Sequence, residues 1–552
     1  MENLLSLLMK WMLLHPLLSA LTLTLASTSP STAFNAADVC VIGAGMAGLG
    51  AAITLQTKRD YSVIILEAQN RHGGRVYTDY ESLSHVVERG AQWIHGIEGN
   101  PLTEMVQNLN APHFVTDYEN SNFYDVDTLM SDSAVNSFQA EYAKLMGEVA
   151  DLQESVHTDI SLAEAIDSSY VKLGYTSTQQ RYSNFAVVDS VELEYATSSE
   201  KMSLMWWDND EELDGEDWWM PEGYGAVPDA LVRDHTLDVR YNHSVISIDY
   251  SYNQTSHVVV TTAEQQEFTC AQVVVAVPLG ILKNNNISFT PALPAATQHG
   301  VDHLEMGLLE KHFVQFNETF WSTLQDFLYI LDPDDSRYEL STFVEIFNIA
   351  HYVNEAHMLC LFSSGDAAYA DEEQSESWRL QQLMTRLRQV WPDAPDPEAH
   401  VFSSWGKDPY TYGSYSSVGL GGSTEDRNVF RVPVRASDTA ADTVFFAGEH
   451  SSLCFPSTVH GAYLSGVNAA NVLMGYPQDD LCSYDYTKWY ETMAFLVGCI
   501  CVGVCLVAAG VFCMWRKRGS KGGAASETAA AAAPSSSAEL LATDNSGAVE
   551  LP

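Results

Sequence analysis

A glycine-rich turn between a short apolar run and a helical stretch constrains the fold of this chain more than any other feature. The run Val39–Ile42 is followed by Gly43, Gly45 and Gly48 in the order G-x-G-x-x-G. In such a unit the first glycine permits a tight turn, the second lets the backbone approach a pyrophosphate, and the third lets the helix pack on its strand. The helix N-terminus offers free N–H groups to phosphates. The pattern therefore predicts a dinucleotide-binding unit.

An acidic residue at the expected distance strengthens this prediction. A second apolar run, Val63–Leu66, ends in Glu67, where a carboxylate accepts hydrogen bonds from a ribose. Glycine turns alone occur in many loops, so a purely structural turn is the alternative. The strand, glycines, helix and acid in register favour the nucleotide site.

Three further glycine-containing segments extend the predicted site. Gly73-Gly74-Arg75 follows the acid too early to belong to the next element of a nicotinamide-binding half-domain. Much later come VFFAGEHSS (Val444–Ser452) and VHGAYLSG (Val459–Gly466). Together these segments predict one extended cofactor that is held at both ends.

At this point the chain resembles the FAD-dependent amine oxidase family. ERGAQWIHG (Glu88–Gly96) is similar to that family's segment beneath the flavin ring, and VVVAVPLGILK (Val273–Lys283) to its characteristic strand and turn. The resemblance runs from about Ala37 to Asn471. It implies an α/β fold: a Rossmann-type FAD-binding domain, interrupted by an α+β substrate-binding domain.

The predicted domains are discontinuous. The FAD-binding domain takes residues 37–113, 237–291 and 443–474, and the substrate-binding domain takes 114–235 and 292–442. We expect helices at Ser137–Leu152 and Trp378–Trp391, and strands at Phe313–Phe316 and Phe343–Ile349.

The resemblance assigns the cofactor contacts residue by residue. The predicted FAD-binding residues are Gly43, Gly45, Met46, Ala47, Gly48, Glu67, Arg75, Gly90, Ala91, Gln92, Trp93, Val245, Trp405, Gly448, Glu449, Thr458 and Val459. Glu449 is expected at the ribityl or phosphate end, and the helix that begins near Thr458 is expected to stabilise negative charge on the flavin.

The resemblance also implies the catalytic residues. Lys311 matches a lysine that holds a water against the flavin and assists reoxidation, although an ordinary surface lysine is the alternative. His95 matches a residue beside the substrate nitrogen, although it could simply satisfy a backbone group. Trp93, Tyr415 and Thr458 match positions that line the amine slot, where Tyr415 can contact a cation or an alkyl chain.

Differences between this sequence and the motifs of related amine oxidase branches narrow the range of expected activities. Monoamine oxidases attach FAD through a cysteine where this chain has Ser414, so non-covalent FAD is expected, and Thr458 replaces their second cage tyrosine. No arginine near Gly90–Ile94 is available to pair a substrate carboxylate, as in L-amino-acid oxidases. The coiled-coil insertion of histone demethylases is absent.

These features favour the polyamine oxidase branch, with spermine-oxidase-like members. The expected reaction oxidises a polyamine of the spermine or spermidine class at a C–N bond, with O₂, to an aldehyde, a shorter amine and hydrogen peroxide. An oxidase of another primary or secondary amine, and a catalytically silent flavoprotein receptor, are the alternatives.

The charge excludes one class of partner. The chain has 72 acidic and 27 basic residues and a formal net charge of −45, so nucleic acid is not expected to bind. An acidic field attracts cations such as polyamines, but it also keeps an extracellular protein soluble. The run Asp208–Asp217 could line a substrate entrance or form a solvated loop.

No metal site is expected from the sequence, and the sequence does not indicate an oligomeric state.

The two terminal regions predict a membrane-anchored secretory protein. Met1–Ala33 reads as a signal peptide, with an uncleaved signal anchor as the alternative. Met493–Trp515 is uncharged and long enough to span a bilayer of ~30 Å, and basic residues follow it. This places a disordered tail (residues 516–552) in the cytosol and the catalytic domain outside the cell or in a lumen.

Glycosylation and disulfide signals agree with that route. The N-x-S/T sequons lie at Asn242, Asn253, Asn286 and Asn317. Cys40 lies in the first predicted strand. One disulfide among Cys270, Cys360, Cys454 and Cys482 is possible, but its pairing cannot be assigned from the sequence.

Overall fold

The structure is a computed structural model that describes residues 35–251, 257–331, 333, 337 and 342–478. The predicted signal peptide, the segment 493–515, the tail and the sequon at Asn253 lie outside these residues. In the part of the chain that is described, no helix is both long enough and apolar enough to cross a bilayer.

The strands follow the apolar runs of the sequence. In chain order they are β1 (Ala36–Ile42), β2 (Val63–Leu66), β3 (Thr78–Asp79), β4 (Val87–Glu88), β5 (Trp93–Ile94), β6 (Phe114–Val115), β7 (Ser121–Asp125), β8 (Thr128–Leu129), β9 (Trp218–Trp219), β10 (Val239–Arg240), β11 (Val245–Asp249), β12 (Val258–Thr262), β13 (Glu267–Val275), β14 (Ser288–Thr290), β15 (Leu304–Met306), β16 (Leu309–Gln315), β17 (Phe327–Leu331), β18 (Thr342–Phe347), β19 (Met358–Ser364), β20 (Ala399–Phe402), β21 (Ser416–Val418) and β22 (Val444–Phe446).

The helices lie between these strands and cover their sheets. They are α1 (Met46–Arg59), α2 (Pro101–Leu109), α3 (Asp132–Ser155), α4 (Leu162–Leu173), α5 (Ser177–Val187), α6 (Ala226–His235), α7 (Leu279–Lys283), α8 (Ala295–His303), α9 (Ile349–Tyr352), α10 (Gly365–Glu372), α11 (Glu376–Val390), α12 (Glu425–Asn428) and α13 (Val459–Leu473).

The first large sheet has the strand order β10-β2-β1-β13-β12-β11-β14. Strand β1 lies parallel to both β2 and β13. The first half of β13 pairs with antiparallel β12, and its second half pairs with parallel β22. Parallel neighbours need crossover connections, which the α1 crossover supplies between β1 and β2. The predicted α/β nucleotide-binding fold is confirmed.

The second large sheet has the order β20-β16-β19-β18-β17-β7-β8. Because side chains alternate along a strand, its two faces carry different residues. One face contributes Phe313, Phe347 and Phe362 to a core cluster with Phe138 and Phe185 of helices α3 and α5. The opposite face packs against α11, with the members Val314, Leu328, Leu361, Leu383 and Leu387.

Two glycines allow helices α1 and α13 to pack closely. A Cβ atom on Gly466 would lie 1.9 Å from the carbonyl oxygen of Ala47, and one on Gly50 would lie 2.6 Å from that of Tyr463. Neither distance is compatible with a side chain. The N-termini of α1 and α13 are the two helix ends that the sequence assigned to the cofactor, so this contact fixes their spacing.

One described disulfide joins a cysteine of the candidate set to a cysteine outside that set. Cys270 forms a disulfide with Cys40, across the neighbouring strands β13 and β1, whereas Cys360 is free and buried. Cys40 was placed in a strand but not considered as a partner. Adjacent parallel strands bring residues distant in sequence to the short Cα separation that a disulfide needs, here 5.8 Å.

The predicted elements are largely confirmed. The expected helix Ser137–Leu152 lies within α3, and Trp378–Trp391 coincides with α11 except at its ends. The expected strand Phe343–Ile349 was too long, because β18 ends at Phe347 and a short helix begins at Ile349.

Candidate active site

The glycine turn leaves open space where a pyrophosphate would lie. Gly43 has φ +101°, and a Cβ atom there would lie 2.8 Å from the carbonyl oxygen of Ala276. Gly48 is packed so closely that its Cβ would lie 1.9 Å from the carbonyl oxygen of Gly43. A Cβ on Gly45, in contrast, would meet no atom within 4 Å. The N-terminus of α1 also lacks a side-chain cap, so its N–H groups fit a dinucleotide phosphate.

The predicted ribose acid lies beside this turn. Glu67 is buried and accepts hydrogen bonds from the backbone N–H groups of Ala44 (2.8 Å) and Gln69 (2.8 Å). Burial raises the pKa of its carboxyl group, and the two N–H groups oppose that shift. The hydrogen bonds fix the carboxylate at the strand end, where a ribose would be received.

The second cofactor segment joins the first through an ion pair with a buried carboxylate. Arg75 donates to Oε1 of Glu449 at 2.9 Å, and Glu449 also accepts from Ser416 Oγ (2.7 Å) and from the backbone N–H of Ser457 (3.0 Å). Although burial opposes ionisation, Arg75, His450 and Arg427 hold the pKa of Glu449 at about 2. The carboxylate is charged and has protein partners, so its contact with the cofactor stays a prediction.

Arg427 is part of this ion-pair network, and sequence analysis missed it. It is buried and donates to Oγ (2.8 Å) and the backbone oxygen (3.1 Å) of Ser416. Its short helix α12 carries no recognisable motif. Only its burial beside Glu449 identifies it.

Helix α13 begins where the sequence placed it. Thr458 is its N-cap and accepts from the backbone N–H of Gly461 at 2.9 Å. Val459 is the first helical residue, and Gly448 donates its N–H to Ser465 Oγ at 2.9 Å. The free N–H groups of this helix end provide the positive potential expected beside a flavin ring.

Lys311 is an interior residue. It lies on β16 with 4% of its surface exposed. Its Nζ donates to the carbonyl oxygen of Gly90 (2.6 Å) and to Oε1 of Gln92 (2.8 Å), and lies 5.6 Å from the centre of the Trp93 ring. Burial lowers the pKa of Lys311 to about 8, while the carboxylate of Glu88 opposes the shift. The surface-lysine alternative is therefore wrong.

The segment around Gly90 contains a buried hydrogen-bond donor that has no partner among the described residues. Nε2 of Gln92 is buried and has no hydrogen-bond partner among the described residues. Gly90 has no room for a side chain, because a Cβ would lie 1.9 Å from the Arg75 carbonyl oxygen. An orphaned amide donor beside Lys311 fits a polar cofactor ring at this position.

Trp405 anchors the same segment from the opposite side. Its Nε1 donates to the carbonyl oxygen of Arg89 at 2.8 Å, and its backbone N–H donates to the buried Glu310 at 2.6 Å. Ser414 bonds to the backbone of Leu309 in both directions at 2.9 Å. This hydroxyl side chain provides no thiol for covalent flavin attachment.

Aromatic rings surround the space in front of Lys311. Trp93 is held by a hydrogen bond to Thr116 at 2.9 Å, and its ring lies 5.2 Å from Phe347 and 6.3 Å from Phe362. Tyr118 lies 6.5 Å from Trp93. Such a lining suits the methylene chain and the cationic groups of an alkylamine.

His95 forms a pair with Asp217, the last residue of the acidic run. Its Nδ1 lies 2.8 Å from Oδ2 of Asp217, which also accepts from the Tyr118 hydroxyl (2.9 Å). Although desolvation opposes the charge, Asp217 and then Glu194 raise the pKa of His95 above its ordinary value. The alternative that His95 satisfies a backbone group receives no support, since Asp217 is its partner.

Tyr415 completes the group near His95. Its hydroxyl donates to the carbonyl oxygen of Leu193 at 3.0 Å. Desolvation and the nearby carboxylates of Glu194 and Glu345 raise its pKa well above its ordinary range. The carboxylate of Glu194 therefore acts on both His95 and Tyr415, and that of Glu345 acts on both Lys311 and Tyr415.

The remaining predicted residues are more dispersed. Met46 and Ala47 form the buried start of α1, and Ala91 lies between Gly90 and Gln92. Val245 is buried on β11, in the first large sheet. Each assignment to the cofactor stays a prediction.

Sequence analysis missed several acidic and aromatic residues of the site. They are Glu88, Asp189, Glu194, Glu345, Phe347 and Phe362. Most come from strands and turns far from any motif. Glu345 gave one usable signal, as a lone acid within the apolar strand TFVEIF.

The fold and the site define the chain as a flavoenzyme with a dinucleotide-type cofactor site beside an acid-lined aromatic slot. The family described as flavin containing amine oxidoreductase matches residues 46–474. The chain belongs to this family, and because its parallel sheet and glycine turn fit a dinucleotide, the cofactor is FAD.

Curated relatives resemble most of the chain. Polyamine oxidase 2 of Arabidopsis thaliana is 32% identical over 463 residues, covering 80% of this chain and 90% of that protein. Polyamine oxidase 3 of Oryza sativa subsp. japonica is 32% identical over 446 residues, covering 78% and 87%. Lysine-specific histone demethylase 1 homolog 1 of Arabidopsis thaliana is also 32% identical, over 460 residues, covering 79% of this chain and 52% of that protein.

A solved structure agrees with the fold. Wild-type putrescine oxidase bound to putrescine aligns with a TM-score of 0.63 and 21% identity, covering 80% of this chain and 99% of that one. At this identity the likeness establishes the fold alone.

Proposed function

We propose that the protein oxidises polyamines of the spermine or spermidine class at a C–N bond. The substrate, O₂ and water would give an aldehyde, a shorter amine and hydrogen peroxide. FAD, when bound, supplies the acceptor for a hydride equivalent and the route of electrons to O₂.

The chain's residues position the substrate and manage protons. Lys311, with its pKa lowered to about 8, can hold or release a proton at Nζ near neutral pH. His95, whose Nδ1 is paired with Asp217, can accept a hydrogen bond from the reacting nitrogen through Nε2 when its ring is neutral. The rings of Trp93 and Tyr415 exclude water from the alkyl chain.

One observation carries the polyamine assignment: the acidic surroundings of the His95–Asp217 pair. The pKa of Tyr118, whose ring lies near that of Trp93, is raised by desolvation and then by the carboxylates of Asp217, Glu194 and Glu345. Carboxylates that face a partly desolvated space stabilise cations there, because their interaction is poorly screened. The similarity to polyamine oxidases of two plants supports the same substrate class.

A substrate panel tests the proposal. Purified holoenzyme is mixed anaerobically with spermine, spermidine, N-acetylspermine, benzylamine or an N-methylated lysine peptide, and the loss of visible flavin absorbance is followed. We expect spermine or spermidine to bleach the flavin fastest and to yield peroxide in air. Faster bleaching by benzylamine would indicate another amine oxidase, and by the peptide a demethylase. No bleaching by any amine would indicate a non-catalytic flavoprotein.

We also propose that the catalytic part lies outside the cell or in a lumen. The support is the uncharged run Met493–Trp515, the basic residues after it, and the sequons at Asn242, Asn286 and Asn317. Protease protection of intact cells or microsomes, with antibodies to each side of this run, tests the orientation.

A further inference from the structure

Strand β16 places an acidic residue directly before Lys311. Because side chains alternate along a strand, Glu310 lies on the face opposite to Lys311, where the register pairs it with Ser363 of β19. Glu310 is completely buried. A carboxylate without water is costly unless hydrogen bonds or a proton compensate for its charge. The groups around Glu310 therefore determine its ionisation state.

Hydrogen bonds join Glu310 to the loop that follows β20. The backbone N–H of Trp405 donates to its Oε1 at 2.6 Å, and the hydroxyl of Ser403 donates to its Oε2. The same hydroxyl oxygen accepts the backbone N–H of Lys311 at 2.7 Å. One carboxyl group thus connects this loop with the backbone of Lys311.

A second buried acid contacts the first. Glu372, the last residue of α10, is 4% exposed, and its side chain is hydrogen-bonded to that of Glu310. Its Oε1 accepts the backbone N–H of Gly406, the residue after Trp405, at 2.9 Å. Two carboxyl groups hydrogen-bond to each other only when one of them carries a proton. Burial, and then the hydrogen bond and charge of Glu372, raise the pKa of Glu310 well above its ordinary value, which agrees with a proton in this contact.

The charged groups that surround the pair have other partners. Among the described residues, no cation forms an ion pair with either carboxyl group. The Lys407 ammonium donates to the backbone oxygen of Glu372 instead. The other titratable groups on this side are Glu305 of β15, His312 of β16, Asp366, Tyr369 and Asp371 of α10, and Arg379 of α11. Burial lowers the pKa of His312 to about 3, so its ring is neutral, and Arg379 acts on Asp371.

We propose that Glu310 and Glu372 share a single proton and act as one positioning unit. The unit holds the backbone of Lys311 through the Ser403 hydroxyl, and it holds Trp405 through its backbone N–H. The one negative charge that remains is stabilised by these donors and by the N–H of Gly406.

The two positioned residues support the segment Arg89–Gln92, which the sequence motif assigns to the FAD site. Nζ of Lys311 donates to the carbonyl oxygen of Gly90 at 2.6 Å, and Nε1 of Trp405 donates to that of Arg89 at 2.8 Å. Because two ionised carboxylates in contact repel each other, loss of the shared proton would separate β16 from the loop. This role is independent of which amine is oxidised.

Infrared spectroscopy of the holoenzyme counts the shared proton, because a protonated carboxyl group has a C=O stretching band that a carboxylate lacks. At pH 7, Glu310→Gln, Glu372→Gln and the double variant should each lose the same single band. Glu398→Gln, which removes an exposed acid just before β20 of the same sheet, is the matched control and should retain it.

Three infrared results would overturn the proposal. Retention of every band would show that both carboxyl groups are ionised. Loss of two bands in the double variant would show that the pair holds two protons. Loss of the band in only one of the single variants would place the proton on that residue alone.

The positioning role is tested by two substitutions of Glu310. Glu310→Ala removes the acceptor of the Trp405 N–H and of the Ser403 hydroxyl, so we expect FAD to bind at least about ten-fold more weakly. Glu310→Gln keeps an acceptor for the N–H and a donor for Glu372, so FAD affinity should stay within about two-fold of wild type. Titration of the apoprotein with FAD measures both.

A pH titration separates positioning from general damage. The visible circular dichroism of bound FAD should change as Lys311 loses its proton, with Lys311→Met as the reference that lacks this change. The pKa of this change should be about 8 in wild type and Glu310→Gln. In Glu310→Ala it should be higher by at least about one pH unit, because a displaced lysine regains water.

Weaker FAD binding by Glu310→Ala with an unmoved titration would show general destabilisation and overturn the positioning role. Unchanged FAD binding would overturn it as well. If Glu310→Ala does not fold, Glu372→Ala, which removes the acceptor of the Gly406 N–H, takes its place under the same criteria.

Discussion

The two halves of the site are built from different parts of the chain. At the glycine turn and the N-terminus of α13, backbone N–H groups and the absence of side chains create the cofactor surface. On the face of the second sheet, side chains from β16, β18 and β19 create the amine slot. Backbone geometry needs glycine at particular positions, whereas the slot needs only that suitable side chains meet. The cofactor surface therefore tolerates few substitutions. In the amine slot, a single side-chain substitution can alter substrate specificity without disturbing the backbone.

The largest effect should come from a methyl group at the turn. Gly48→Ala would place its Cβ 1.9 Å from the Gly43 carbonyl oxygen, so we expect destabilisation by more than about 3 kcal/mol and loss of bound flavin. Thermal unfolding and flavin absorbance of the purified protein measure both.

Gly45→Ala provides the matched control, since its Cβ meets no protein atom within 4 Å. The apoprotein should keep its stability while flavin affinity falls, because the methyl group enters the space reserved for the phosphates. Equal flavin affinity in Gly45→Ala and wild type would mean that the cofactor does not lie against this turn.

Removing the Arg75–Glu449 ion pair should have the next largest effect on stability. Glu449→Gln removes the charge of a buried carboxylate and leaves Arg75, whose side chain is 22% exposed, without its charge partner, which costs about 3 kcal/mol at pH 7. Because the pKa of Glu449 is lowered to about 2 in the folded state, its contribution is complete above pH 4.5 and is lost as the pH falls toward 2. Urea unfolding at pH 7 and pH 3 should show the difference between wild type and variant shrinking. A constant difference would contradict the assigned ionisation.

Lys311 should show a pH dependence of the same sign, with stability rising as the pH rises, but in an alkaline range. Burial lowers its pKa to about 8, so the folded protein loses this proton before the unfolded chain does. The stability of wild type should therefore rise by about 3 kcal/mol relative to Lys311→Met between pH 8 and pH 10.5. Denaturation across that range measures it, and parallel curves would show that the lysine is solvated.

The smallest predicted effect concerns His95. Asp217 raises the pKa of His95, so Asp217→Asn should move the acidic limb of the kcat/KM profile to lower pH. The variant should keep its fold, because Asp217 lies on a loop. A limb that does not move would assign it to another group.

The sequence predicted the cofactor-binding residues better than the residues of the amine slot. The run Val63–Leu66 matches β2, and Glu67 follows it as the glycine pattern requires. That pattern is local, so it can be read without a structure. Asp217 meets His95 only because β5 pairs with β9, and Glu345 reaches the slot only through the register of β18. Contacts of this kind depend on tertiary pairing, which leaves no local pattern.

The close contact between Gly466 and Ala47 has a consequence for synthesis on the ribosome. The glycine turn emerges early, but α13 and the partner carboxylate Glu449 are translated several hundred residues later. A nascent chain can therefore form β1 and α1, but it cannot complete the FAD-binding site until β22 and α13 have left the ribosome and packed against them. Loading of the coenzyme should be a late event in biogenesis, and chains that stall before Thr443 should be released without it.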